Sequence, residues 1–167
     1  MKTRIFFLLL GLSLTAAFWF ACERNSDPEP LSVTTKYDMI CKGSGILKTN
    51  DPPSETSCIN YSFDGDSLLT MMHYNAGFNC CPEGFAVDIE VKGDSLIIRE
   101  DDLKHLCRCN CLYDLEIEVH NLPVGSYHVR IVESYAGYSW APLVFDLDLK
   151  KEPTGKFCTT RTEGWWR

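Results

Sequence analysis

Residues 107–133 read CRCNCLYDLEIEVHNLPVGSYHVRIVE, and their spacing decides the fold class. At Cys107, Cys109, Cys111, Tyr113, Leu115, Ile117 and Val119 the odd positions are apolar or sulfur-bearing. Asp114, Glu116, Glu118 and His120 fall between them. A period of two is that of a strand with one face in a core and the other in water. An unbroken strand would aim all three thiols inward beside Leu115 and Ile117. Asn121, Pro123 and Gly125 then punctuate the chain, and Tyr127, Val129 and Ile131 resume the alternation against His128 and Arg130. The stretch therefore predicts two paired antiparallel strands around a turn.

The joint Leu122-Pro123-Val124-Gly125-Ser126-Tyr127 resembles the Leu-x-Pro-Gly-x-Tyr corner of fibronectin type III and other immunoglobulin-like domains, with Pro123 one place early. The resemblance implies a β-sandwich in which the Tyr127 hydroxyl bonds back to the corner backbone. It implies nothing about function, because such sandwiches host many unrelated activities.

Other segments agree with an all-β chain. Phe63-Asp64-Gly65-Asp66-Ser67-Leu68-Leu69 and Val91-Lys92-Gly93-Asp94-Ser95-Leu96-Ile97 share one layout, a strand, a Gly-Asp turn and a strand, as short hairpins require. Asp64 and Asp66 are turn residues on this reading, preferred to calcium ligands. Tyr37, Met39 and Cys41 alternate beyond Val33. Gly43, Gly45 and Asn50-Asp51-Pro52-Pro53 supply loop chemistry. Glu100-Asp101-Asp102 is expected to begin an exposed loop, and residues 136–142 (AGYSWAP) another connection. Leu143, Phe145, Leu147 and Leu149 form the last expected core strand, followed by a tail with Cys158 and Trp165-Trp166 folding back on the domain. About seven to nine strands at intervals of roughly ten residues, with no long helical period after the N-terminus, suit an antiparallel immunoglobulin-like β-sandwich.

At the N-terminus, Met1-Lys2-Thr3-Arg4 is a short basic region, and residues 5–20 are a largely apolar run ending at Ala21-Cys22. A bilayer-spanning helix needs about 20 apolar residues, so the run reads as a signal peptide. The cysteine after the small Ala21 resembles the lipobox of bacterial lipoproteins, with Trp19 and Phe20 where that family usually carries Leu and a small residue. The resemblance implies cleavage before Cys22, acylation (palmitate among the chains) at Cys22 and a lipid-anchored envelope protein. An outer-membrane or cell-surface location is preferred to the inner membrane. The expected organisation is a signal peptide over 1–21, a flexible polar tether over 22–33, a sandwich domain over 34–150 and a tail over 151–167.

Cleavage removes 21 of the 167 residues and leaves 146, enough for one domain with a core. It also removes Lys2 and Arg4, taking the charge balance from −7 to −9. Such a surface argues against nucleic acid, whose phosphates require basic side chains. It equally argues against electrostatic membrane binding, which leaves acyl chains as the anchor at roughly 0.8 kcal/mol per buried methylene. The expected partners are the membrane, through those chains, and a protein or glycan ligand.

Setting Cys22 aside, eight of the nine cysteines remain: Cys41, Cys58, Cys80, Cys81, Cys107, Cys109, Cys111 and Cys158. An even number in an exported domain predicts disulfides. Residues two apart on a strand lie roughly 6.6 Å apart, beyond the preferred Cα separation of about 5.5–6 Å. Cys107, Cys109 and Cys111 should therefore reach sideways, with Cys80 and Cys81 as partners, and Cys41 with Cys58 is a local pairing. The competing reading is a zinc or copper site, or a redox module, built from Cys80, Cys81, Cys107, Cys109 and Cys111 with His73 or His105. Its spacing is not the usual zinc Cys-x-x-Cys. No nucleophile elbow, His-Glu-x-x-His or phosphate-binding glycine loop occurs, and Gly43-Ser44-Gly45 is a turn. His120 and His128 fall on solvent faces. No enzyme is expected, and a Cys-His catalytic pair is the enzymatic alternative.

Overall fold

A computed structural model describes residues 29–42, 51–104, 107–134 and 141–161. The expected signal peptide over 1–21, Cys22, Gly43-Ser44-Gly45, His105, most of 136–142 and the Trp165-Trp166 pair lie outside the described residues.

Nine strands are formed among the described residues: β1 (Ser32–Tyr37), β2 (Thr56–Phe63), β3 (Leu69–Asn79), β4 (Phe85–Lys92), β5 (Ser95–Asp102), β6 (Asn110–His120), β7 (Ser126–Glu133), β8 (Leu143–Asp148) and β9 (Thr154–Thr160). They build two sheets, ordered β1-β6-β3-β2-β9 and β4-β5-β7-β8. Every pairing is antiparallel except β5 with β7. The alternation has the expected consequence. Leu69, Met71, Ile117 and Val119 of the first sheet meet Leu96, Ile98, Val129 and Leu147 of the second in one buried core. Each such side chain contributes about 1.5–3 kcal/mol on leaving water.

Both Gly-Asp turns close hairpins, β2–β3 and β4–β5, with Gly65 (φ 92°) and Gly93 (φ 62°) in the left-handed region that glycine adopts without a Cβ clash. Asp64 Oδ1 accepts the amides of Asp66, Ser67 and Leu68 at 2.9, 3.0 and 3.0 Å. Those bonds, the Asp66 amide foremost, hold its carboxyl below the usual range. Its chemistry is that of a turn. At the corner, Tyr127 donates its hydroxyl to the Pro123 carbonyl at 2.7 Å, and Leu122 beside it is fully buried.

Four expectations are corrected. Strands β6 and β7 do not pair, because the corner carries the chain from one sheet to the other, where β7 pairs with β5 and β8. Strand β6 begins at Asn110, not Cys107, because Cys107 and Cys109 are held in the preceding bend; Cys111 is buried, Cys107 half-buried and Cys109 exposed. Glu100 and Asp102 belong to β5 and are buried, since each carboxylate has a partner inside: His73 for Glu100 and the Asn79 amide for Asp102. The region after Leu149 is not merely a tail, because β9 pairs with β2 from Thr154 to Thr160.

Candidate functional site

The eight cysteines form four bridges: Cys41–Cys111, Cys58–Cys158, Cys80–Cys109 and Cys81–Cys107. Cys80 and Cys81 take partners from the Cys107-Cys109-Cys111 set as expected. The Cys41–Cys58 pairing is overturned. Cys41 follows β1, which lies beside β6, so it meets Cys111. Cys58 is the register partner of Cys158 across β2 and β9. Asn79 organises the paired bridges: its Oδ1 accepts the amides of Cys81 (3.0 Å) and Cys107 (3.3 Å), and its Nδ2 donates to the Cys107 carbonyl (2.6 Å).

Cys80, Cys81 and Cys107 place their sulfurs within 4.8 Å of one another. Metal binding requires thiolates, and here each sulfur is spent in a bridge. The set does not fit a metal in this oxidation state.

A second constellation, invisible to motif searching, lies between the sheets. An irregularity in β3 between His73 and Ala76 centres on Asn75, whose φ of 60° is tolerated by asparagine better than by most residues. The Asn75 side chain fixes that backbone by donating to the carbonyls of Pro53 (3.0 Å) and Thr56 (2.8 Å). The bulge shifts the inward phase, so His73 before it and Ala76 and Phe78 after it all face the core. Opposite His73, Glu100 of β5 and Glu133 of β7 are direct register partners on parallel strands. Two carboxylates side by side repel in a sheet, and here both are buried. Arg161, which follows β9, enters from the edge of the first sheet.

The resulting contacts are specific. His73 Nδ1 lies 2.9 Å from both carboxylate oxygens of Glu100, and Nε2 lies 2.8 Å from Ser57 Oγ. Arg161 NH2 donates to Glu133 Oε2 at 2.6 Å, and the Gly77 amide donates to Glu133 Oε1 at 3.3 Å. Arg161 supplies one positive charge against two carboxylates, so neutrality of the cluster requires one proton, and the His73–Glu100 pair holds it. Burial acts to lower the His73 pKa, but the charge and hydrogen bond of Glu100 and the charge of Glu133 outweigh it, so the net direction is upward. Burial raises Glu100 as well, with His73 opposing.

Two chemical readings of this cluster fail on the same geometry. Ser57, His73 and Glu100 have the order of a nucleophile, base and orienting acid, but Ser57 and His73 are fully buried, so no acyl carbon reaches the hydroxyl. His73, Glu100 and Glu133 could supply three donor atoms to a cation. A divalent ion added beside Arg161 would leave net positive charge in a dry interior, which the proton alternative avoids. The cluster is a neutralised seam joining β3, β5, β7 and the end of β9.

Among the other histidines, His120 and His128 sit on solvent faces as expected, His128 Nδ1 lying 2.7 Å from Asp146 Oδ1. Buried His73 is therefore structural, not a ligand beside the cysteines. No family model, curated protein or solved structure matches this chain.

Proposed function

We propose that the protein is a lipid-anchored envelope protein whose disulfide-stapled sandwich serves as a binding or structural module for a protein or glycan partner. The observation that carries this reading is the exhaustion of the cysteines. Eight of nine are consumed in four bridges, and the one left over is Cys22, directly after the apolar run and the small Ala21. Bridges of this density suit an oxidising compartment. A lone cysteine at the start of a polar tether suits acylation, and two or more chains there would hold the module stably at a membrane. The acidic balance leaves the acyl chains as the anchor.

Cys22→Ser tests the proposal. The variant should fail to incorporate a labelled fatty acid and should move from the membrane to the soluble envelope fraction with its sandwich intact. Retention of all the variant in the membrane fraction would require a different anchor and defeat the lipoprotein reading.

A further inference from the structure

Lys42 lies at the end of the β1 extension with its side chain only 7% exposed, against Asp51 (5%) and Asp114 (14%). Its Nζ is 2.5 Å from each oxygen of the Asp114 carboxylate and 3.0 Å from Asp51 Oδ2. Asn75 Oδ1 lies farther away, at 3.5 Å, and the Tyr74 ring 5.8 Å away walls the site. The backbone clamps both partners. The Lys42 amide donates to the Leu112 carbonyl at 3.0 Å, and the preceding Cys41 is bridged to Cys111 three residues before Asp114. A nitrogen that close to both oxygens is within about 3 Å of the carboxyl carbon; turning the carboxylate so that its face meets the nitrogen is the remaining condition for a near-attack arrangement.

A buried lysine between two carboxylates, fixed at its backbone, can do more than pair. We propose that Lys42 and Asp114 form an intramolecular amide, with Asp51 as the proton carrier. One proton passes from the ammonium to the Asp114 carboxylate, giving an amine and a carboxylic acid. The Nζ lone pair attacks Cγ, and the carbonyl π electrons move onto oxygen. The Asn75 backbone amide, 3.2 Å from Asp114 Oδ1, donates to that oxygen. Asp51 takes a proton from the nitrogen and returns it to the departing hydroxyl. The C–O bond breaks, one water leaves and the C–N bond remains; nothing is oxidised or reduced. Asn75 is the poorer electrophile, because its Nδ2 is committed to the carbonyls of Pro52, Pro53 and Thr56 and is held from leaving as ammonia. The product would lock the end of the β1 extension to β6 by a bond that reductants do not open, beside one that they do.

The test is peptide mapping of the folded full-length protein after reduction and alkylation, which removes the Cys41–Cys111 link from the comparison. The expected result is a branched peptide joining the Lys42 and Asp114 segments, lighter than their sum by one water, with no tryptic cleavage after Lys42. Asp114→Ala should restore cleavage at Lys42. Asp51→Asn should fold, keep both reacting residues and lose most of the branched product. Recovery of Lys42 and Asp114 only in separate linear peptides from the folded wild type would overturn the cross-link. A branch at Asn75 with loss of ammonia would overturn the assignment to Asp114. Unchanged branching in Asp51→Asn would overturn the role given to Asp51.

Discussion

Replacing Arg161 with methionine removes a buried cation while keeping much of the side-chain volume. The guanidinium is 1% exposed, and its partner Glu133 is 4% exposed at 2.6 Å. Deleting one member of such a pair leaves a buried charge unsupported, at a cost of about 3–5 kcal/mol. Here the stranded carboxylate also sits beside Glu100, which places Arg161→Met toward the upper part of that range. Against a total stability of about 5–15 kcal/mol for a domain, the loss is roughly a quarter or more. Glu133→Gln in the same background removes the stranded charge and keeps an acceptor for the Gly77 amide, so the double variant should recover at least about 2 kcal/mol relative to the sum of the singles. The measurement is urea denaturation of the four members of the cycle under nonreducing conditions, with unchanged slopes as the check on two-state behaviour. A cost below about 1 kcal/mol for Arg161→Met, or a double variant equal to the sum of its parts, would refute the neutralised-seam account.

The shared proton sets a second expectation. His73 is raised above 6.5 and Glu100 above 4.5 in the folded protein. The folded state therefore binds the proton more tightly than the unfolded one. The His73 contribution is full below about 6.5 and is lost as the pH rises through the folded value, so the denaturation midpoint should fall between neutral and alkaline pH. His73→Gln should flatten that dependence, and an unchanged slope would count against it. Tyr127→Phe should cost about 1 kcal/mol, the scale of one buried hydrogen bond, with the fold retained in the far-ultraviolet spectrum; a cost near zero would detach the corner from stability. Considered singly, the Cys58–Cys158 bridge spans a sequence separation of 100 and the Cys81–Cys107 bridge 26. The chain-entropy model assigns these about 4.7 and about 3.5 kcal/mol. Paired serine substitutions should therefore lower the melting temperature more for the first bridge, and the reverse order would show native-state effects to dominate.

How much could be read in advance depended on the range of each interaction. Alternation in β6, β7 and β8 gave the inward face of each strand, and the two Gly-Asp turns and the Tyr127 corner were legible because their hydrogen bonds close within four residues. Strand β9 escaped notice because TGKFCTT has an alternation of intermediate and exposed positions rather than a buried face. Glu100 and Asp102 looked like loop residues because acidity signals solvent unless a partner is supplied, and their partners arrive from β3.

The sequence by itself determined the secondary-structure class, the turn positions and the even set of cysteines available for bridging, all properties of local spacing and composition. Tertiary structure decided which sheet each strand joins, which cysteines meet and how Ser57, His73, Glu100, Glu133 and Arg161 come together. Alternation states which side of a strand is buried but not which strand lies beside it. The contacts that answer that question join residues such as Cys58 and Cys158, 100 positions apart, whose proximity exists only once the two sheets have packed and the bulge at Asn75 has turned His73 inward.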